Sequence, residues 1–248
     1  MPSTIPKSLP EATEQAMSAV QAALQAGITR IQVEMAIPEL KHQPIAQQFL
    51  EIFQGQQFKV LFPDAGAAAL ARRDWGDPDF TIRGLGELAD PVEEDDDIYL
   101  IVNPSSIEVH MVEALCNAAL DRPVILLNPQ LEDVAIVGIG YAARQLRERF
   151  LSQIETCYYL RPMEEAAVYR CYPSPWQIWR ETAPEEYERL SDLPQRPSGE
   201  DIDRILVGDT NSNAAEESDS GEPRAAKIKG RKKGIFADLQ QFLRALTQ

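Results

Sequence analysis

The side chains that could do chemistry in this sequence collect at four proline-marked turns. Ile37-Pro38-Glu39, Phe62-Pro63-Asp64, Asn103-Pro104-Ser105 and Asn128-Pro129-Gln130 each close an apolar or alternating run and set a polar residue beside a proline. In open α/β sheets, ligands bind at the carboxyl ends of strands where the winding direction reverses, so Asp64, Asn103, Ser105, Ser106 and Asn128 form the natural rim of a pocket. A carboxylate, two amides and two hydroxyls suit a polar small molecule or a nucleotide. The same residue types are ordinary turn and helix-cap formers, and that role competes with ligand binding at every one of these positions.

Catalytic constellations are sparse. The only histidines are His42 and His110, and neither an HExxH metal helix nor a GxSxG nucleophile elbow occurs. Ser105 follows an apolar run as a nucleophile would, but it lacks the flanking glycines that such a sharp turn needs. GIG at 138–140 precedes a helical pattern without completing GxGxxG or GxxxxGK[ST], so it does not define a phosphate loop. The acidic run DPVEEDDD (90–97) lacks the alternating ligands and the glycine of a calcium loop and reads as a solvated segment. Cys116, Cys157 and Cys171 form no CxxC pair, and an odd number suits buried free thiols in a reducing compartment. The expectation is therefore no catalytic residue, no metal and no cofactor; an enzyme is unsupported.

The elements that must position the rim are legible around Asp97 to Pro129. Ile98 to Val102 and Val124 to Leu127 are short apolar runs of the kind buried on both sheet faces. Between them Ser105 and Ser106 offer N-caps for a helix with Ile107, Met111, Leu115 and Ala118 on its apolar stripe. Strand, helix and strand within about thirty residues make a right-handed parallel crossover unit. Upstream lie a helix over 10–26, a strand over 28–37 whose polar alternate positions place it near a sheet edge, a helix over 45–53, a strand over 58–62 and an alanine-rich helix from 65. A short strand over 80–82 follows. Downstream come a helix over 138–152 and an antiparallel hairpin from 154–160 and 167–172, with Trp176 and Trp179 packed on the domain. Pro184 to Pro197 carries acids and prolines with a short helix around 185–190.

The expected fold is thus α/β, a mostly parallel sheet covered by helices with a C-terminal hairpin, in one domain over 1–200. Residues 201–232 form an acidic-to-basic linker, clearest over 208–232, which has no aromatic residue and too little apolar surface to offset the entropy of ordering. Residues 233–248 form an amphipathic helix with Ile235, Phe236, Leu239, Phe242, Leu243 and Leu246 on one face and Lys232 and Lys233 beside it. An isolated helix of about fourteen residues is marginal in water, so this face must bury itself on the body, on a partner or on an anionic membrane.

The 248 residues carry a net charge of −15; residues 222–248 hold seven Lys and Arg against two acids, which leaves the remainder near −20. A body that acidic repels nucleic acid. No run reaches the roughly 20 apolar residues needed to span a bilayer, and the start of the chain has neither a signal-peptide nor a transit-peptide pattern.

The segments VLFPDAGAAALARRDW (60–75), VNPSSIEVHMVEALCNAA (102–119), RPVILLNPQLEDVAIVGIGYAARQLRERFLSQIETCYYLRP (122–162) and YPSPWQIW (172–179) resemble an uncharacterised domain family of cyanobacteria and plastids. That family includes the plant "low photosystem II accumulation" proteins and a domain fused behind a plastid adenylate kinase. The resemblance covers roughly residues 10–185 and stops short of the linker. It implies a cytoplasmic or stromal protein of an oxygenic phototroph, with a peripheral contact to the thylakoid membrane and a photosystem subunit or assembly protein as partner. It brings no catalytic motif, and the chain has no kinase phosphate loop. The function expected is a non-catalytic auxiliary role in photosystem assembly or maintenance; the alternative is a small-molecule or nucleotide-binding α/β domain with its ligand at the strand ends.

Overall fold

A single nine-stranded sheet of order β3-β2-β4-β5-β1-β6-β7-β8-β9 organises the chain. The computed structural model describes residues 4–87, 92–132, 141–184 and 186–216, leaving aside the side chains of 141–143 and 209–216. Strands β1 (Arg30–Met35), β2 (Phe58–Phe62), β3 (Thr81–Gly84), β4 (Ile98–Val102), β5 (Val124–Leu127) and β6 (Glu155–Met163) pair with one another in parallel. From β6 onward β7 (Ala166–Cys171), β8 (Trp176–Ala183) and β9 (Glu186–Leu193) continue as an antiparallel meander. The expected α/β fold with a parallel core and added antiparallel strands is what the chain forms.

Strands β4 and β5 are buried at every position, so both faces must be covered. On one face, α1 (Leu9–Gln25), α2 (His42–Phe49) and α3 (Ala65–Asp74) share a core with Ile31, Val33, Val60, Leu100 and Ile125. On the other, α4 (Val109–Ala118) packs with Leu61, Tyr99, Ile101, Val124 and Leu126, joined by Leu146 of α5 (Tyr141–Arg149) and by Phe150. Further along that second face, Ile202 of α6 (Gly199–Glu216) meets Tyr159, Val168, Trp176 and Ile178.

Sequence patterns explain most of these elements. Ser8 accepts from the Glu11 N–H to start α1, and Gly27 at φ +79° follows its end. Asp64 caps α3 through the Ala67 N–H. Gly84 closes β3 directly against this cap. A Cβ there would stand 2.7 Å from the Asp64 carbonyl carbon, so no other residue fits without moving backbone.

Several expectations need correction. The 28–37 strand, β1, lies at the centre of the sheet, between β5 and β6, and its polar positions Arg30, Gln32 and Glu34 have partners on the second face. Alternation reports one polar face; it does not say which strands lie alongside. Helix α4 begins at Val109 because Glu108 is drawn into a turn with Ser105. The buried stripe is therefore Val109, Val112, Leu115 and Cys116, while Ile107 is 82% exposed and Met111 and Ala118 are exposed. Residues 186–193 form β9 where a short helix was expected, because the ladder to β8 and the packing of Tyr187, Leu190 and Leu193 override weak local preference.

The stretch from 201, expected as linker, is helical to Glu216. A Ser198–Asp201 capping box starts α6, and Ile202, Ile205 and Leu206 bury its apolar side. Residues 217–248, with the amphipathic segment, lie outside the described residues, as does GIG at 138–140. All three cysteines are free and buried, and no helix among the described residues is long and apolar enough to cross a membrane.

Candidate functional site

From β1 the chain crosses to β2 and steps outward to β3; from β4 it moves the opposite way, to β5 and then β6. The winding therefore reverses between adjacent strands β2 and β4, and Asp64 and Asn103 stand just beyond their carboxyl ends. Asn128 stands beyond β5, one strand further. Sequence reasoning placed these residues at one end of the sheet, and the fold puts them there.

Most of them are engaged by the backbone. Asp64 Oδ1 accepts from Ala67 at 2.9 Å. The Ser105 N–H and Oγ–H both donate to Glu108 Oε2, at 2.8 and 2.6 Å, and Ser105 Oγ accepts from the Ile107 N–H at 3.2 Å. Ser106 sits half-buried in the same turn. The Asn128 amide is buried and grips β1 at both ends: Oδ1 accepts from the Met35 N–H at 2.8 Å and Nδ2 donates to the Met35 carbonyl at 3.1 Å. Both asparagines hold a left-handed backbone, Asn103 at φ +50° and Asn128 at φ +49°, which this residue type tolerates better than most.

Asn103 differs. Its N–H donates to Leu127 as that of Asn128 does to Val33, so the two asparagines end their strands in the same register. The residue two beyond Val33 is Met35, which supplies an N–H to Asn128. The residue two beyond Leu127 is Pro129, which has none. Asn103 Oδ1 is left buried without a partner, alone in this among the buried rim atoms of the described residues.

The acidic loop has a cation of its own. Lys59, 2% exposed, places Nζ 2.7 Å from Asp96 and 3.3 Å from Glu93. Tyr99 donates its hydroxyl to Asp96, and burial pushes its pKa up to about 12. Arg122 holds the loop carbonyls of Glu93 and Glu94. Among the described residues no cluster of three His, Cys, Asp or Glu side chains fits a metal ion. His110 is exposed, 3.9 Å from Glu113.

Sequence reasoning missed a second polar locus, on the α4 side of the central strands. Gln32 donates to Thr156, Glu34 takes a two-pronged pair from Arg196 at 3.1 and 3.2 Å, and Arg170 pairs with Glu155. The Arg196 guanidinium lies 4.4 Å from the Tyr159 ring centre and 5.8 Å from that of Trp176, while Arg170 lies 5.3 Å from Trp176 on its own account. Burial pushes the Glu34 carboxyl above its ordinary range even though Arg196 pulls the other way. The alternation of RIQVEM announced the polar face; nothing local announced an arginine 162 positions later.

A parallel sheet wound in two directions and prolonged by an antiparallel meander defines a three-layer α/β domain with its polar rim at the carboxyl ends of the strands. The chain belongs to a family with a model of its own: that of DUF1995, a domain of unknown function, matches residues 6–204. No solved structure matches the chain.

Proposed function

We propose that this chain acts by holding a partner, as a non-catalytic auxiliary factor in photosystem assembly or maintenance. In this reading the α/β domain supplies the recognition surface and the basic amphipathic segment 233–248 supplies attachment at the thylakoid surface. The observation that carries the non-catalytic part is the engagement of Asp64 and Asn128 by the backbone and of Ser105 by Glu108 and the Ile107 N–H, which makes the usual ligand end of the sheet a structural seam. The photosynthetic setting rests on the resemblance of residues 10–185 to the plant proteins named above. Attachment rests on the pattern of Ile235, Phe236, Leu239, Phe242, Leu243 and Leu246 beside Lys232 and Lys233.

The test is sedimentation with anionic thylakoid-lipid vesicles, comparing the full chain, a chain ending at Gly221 and Phe242→Asp. The full chain alone should pellet, and less so as salt rises. Equal pelleting of all three, or none by the full chain, refutes the attachment.

A second reading, a small polar ligand at the β2–β4 crevice, is favoured by the buried, unpartnered Asn103 Oδ1. A thermal-shift series with nucleotides separates the two, since a ligand at a hundred times its Kd stabilises by about 2.7 kcal/mol.

A further inference from the structure

A cleft of about 460 Å3 opens between the start of α2 and the end of α3, lined by Leu40, Lys41, His42, Gln43, Gln47 and Trp75, with Asp74 at its edge. Its volume falls within the range of small-molecule sites, roughly 300–1,000 Å3. The polar groups around it divide into two sets. Asp74 is neutralised within the chain: Arg73 donates Nε at 2.8 Å and lies close through a second nitrogen at 2.7 Å, and Gln43 donates to it at 3.1 Å. The Lys41 ammonium, the Trp75 indole N–H, the Gln47 amide and both His42 ring nitrogens have no hydrogen-bond or ion-pair partner among the described residues. Burial holds His42 below its ordinary pKa, and no carboxylate opposes that shift, so the imidazole is neutral at neutral pH. Lys41 is then the one uncompensated charge on the wall of the cleft, on a chain whose net charge is −15.

Trp75 supplies the apolar surface. Its ring rests 6.0 Å from Phe62 at a 55° tilt, and the residue stays half-exposed, with Leu40 and Pro44 also on the lining. Trp176 and Trp179, by contrast, are buried in the core. An aromatic wall, a lone ammonium and spare N–H donors match a ring that bears one carboxylate. A dianion would meet only a single cation, and an organic cation would meet Lys41 as a like charge. We infer that the α2–α3 cleft is a binding site for a small aromatic monocarboxylate, with its ring on Trp75 and its carboxylate on Lys41. This inference uses none of the rim residues Asp64, Asn103, Ser105, Ser106 and Asn128 and none of residues 233–248, so its test leaves both readings of function untouched.

The experiment is isothermal titration of the full chain with three probes of one shape and different charge: 1-naphthoate, 1-naphthalenemethanol and 1-naphthylmethylamine. Naphthoate should bind most tightly and quench the emission of the half-exposed Trp75. Lys41→Met should weaken it about fivefold, as expected for one charge pair near the surface, and leave the alcohol unchanged. Gln47→Glu, on an exposed helical position that does not threaten folding, should weaken naphthoate and not the alcohol. Equal affinity for the three probes, or naphthoate binding that neither substitution changes, overturns the assignment. So does an absence of binding at millimolar naphthoate.

Discussion

Asn103 and Asn128 end adjacent strands with the same residue, the same following proline and the same left-handed backbone, yet their amides have opposite fates. That pairing gives a sharp expectation for alanine substitution. In Asn128→Ala, the buried Met35 N–H loses its partner, at about 1–3 kcal/mol, and the Met35 C=O, which keeps its bond from the Ile37 N–H, loses one of two hydrogen bonds, at about 0.5–1.5 kcal/mol. Alanine at φ +49° adds about 1 kcal/mol of backbone strain. Allowing for partial relaxation, the loss should be about 3–5 kcal/mol, a large share of the roughly 5–15 kcal/mol that holds a domain together. In Asn103→Ala the same strain appears, but the atom removed had no partner, so relief of a desolvated acceptor offsets it. The net change should be about 1 kcal/mol or less. Urea unfolding followed by far-UV circular dichroism, with the slope checked for constancy, reads both. Pro129→Ala would return the missing N–H, so it should couple favourably with Asn103 by about 1 kcal/mol in a double-mutant cycle. If Asn103→Ala costs as much as Asn128→Ala, Asn103 has a partner and the account of Pro129 fails. If Asn128→Ala costs under about 1 kcal/mol, the amide is not what joins β5 to β1.

Two further outcomes follow from buried charge. Lys59→Met strands Asp96 in the interior and should cost about 3–5 kcal/mol, whereas Lys59→Met with Asp96→Asn should recover most of it; equal losses in the single and double variants would refute a charge-based origin. Glu34 has its folded pKa raised above the ordinary 4.5, so its contribution to stability is present below that pH and is lost as pH rises through the folded value. Glu34→Gln should therefore gain stability relative to the parent between pH 4 and 7, and a pH-independent difference between their urea midpoints would contradict the sign.

How much could be read beforehand varied with how local the cause was. The β4-α4-β5 unit was legible because each strand is a contiguous apolar run and the crossover joins near neighbours in sequence. The phase of α4 was not, because Glu108 turns back to Ser105 and shifts the helix start, which exchanges Met111 for Val112 on the buried side. The centre of the sheet escaped for a different reason. Arg30, Gln32 and Glu34 look like a solvated face until Cys116, Thr156 and Arg196 arrive from distant segments to take them up. Of the rim, the capping role of Asp64 was readable from its place before an alanine run. The difference between Asn103 and Asn128 depended on register between strands. The α2–α3 cleft joins residues about thirty positions apart whose helices had been recognised singly, and His42 carried no local signal beyond its rarity.

The strand order also bears on how the chain comes together. β1 is the first strand in sequence but the middle of the sheet, and its partners lie far downstream, with side-chain contacts spanning 93 positions to Asn128 and 124 to Thr156. During synthesis the earliest strand therefore waits with both edges unpaired until β5, about ninety residues downstream, has been made. Such long loop closures slow folding. Without β1, the sheet divides into β3-β2-β4-β5 on one side and β6-β7-β8-β9 on the other, two halves that share no other ladder. A short N-terminal segment is thus the keystone of a sheet made almost wholly of later residues, and a separate peptide carrying α1 and β1 is the natural piece for reassembly by complementation.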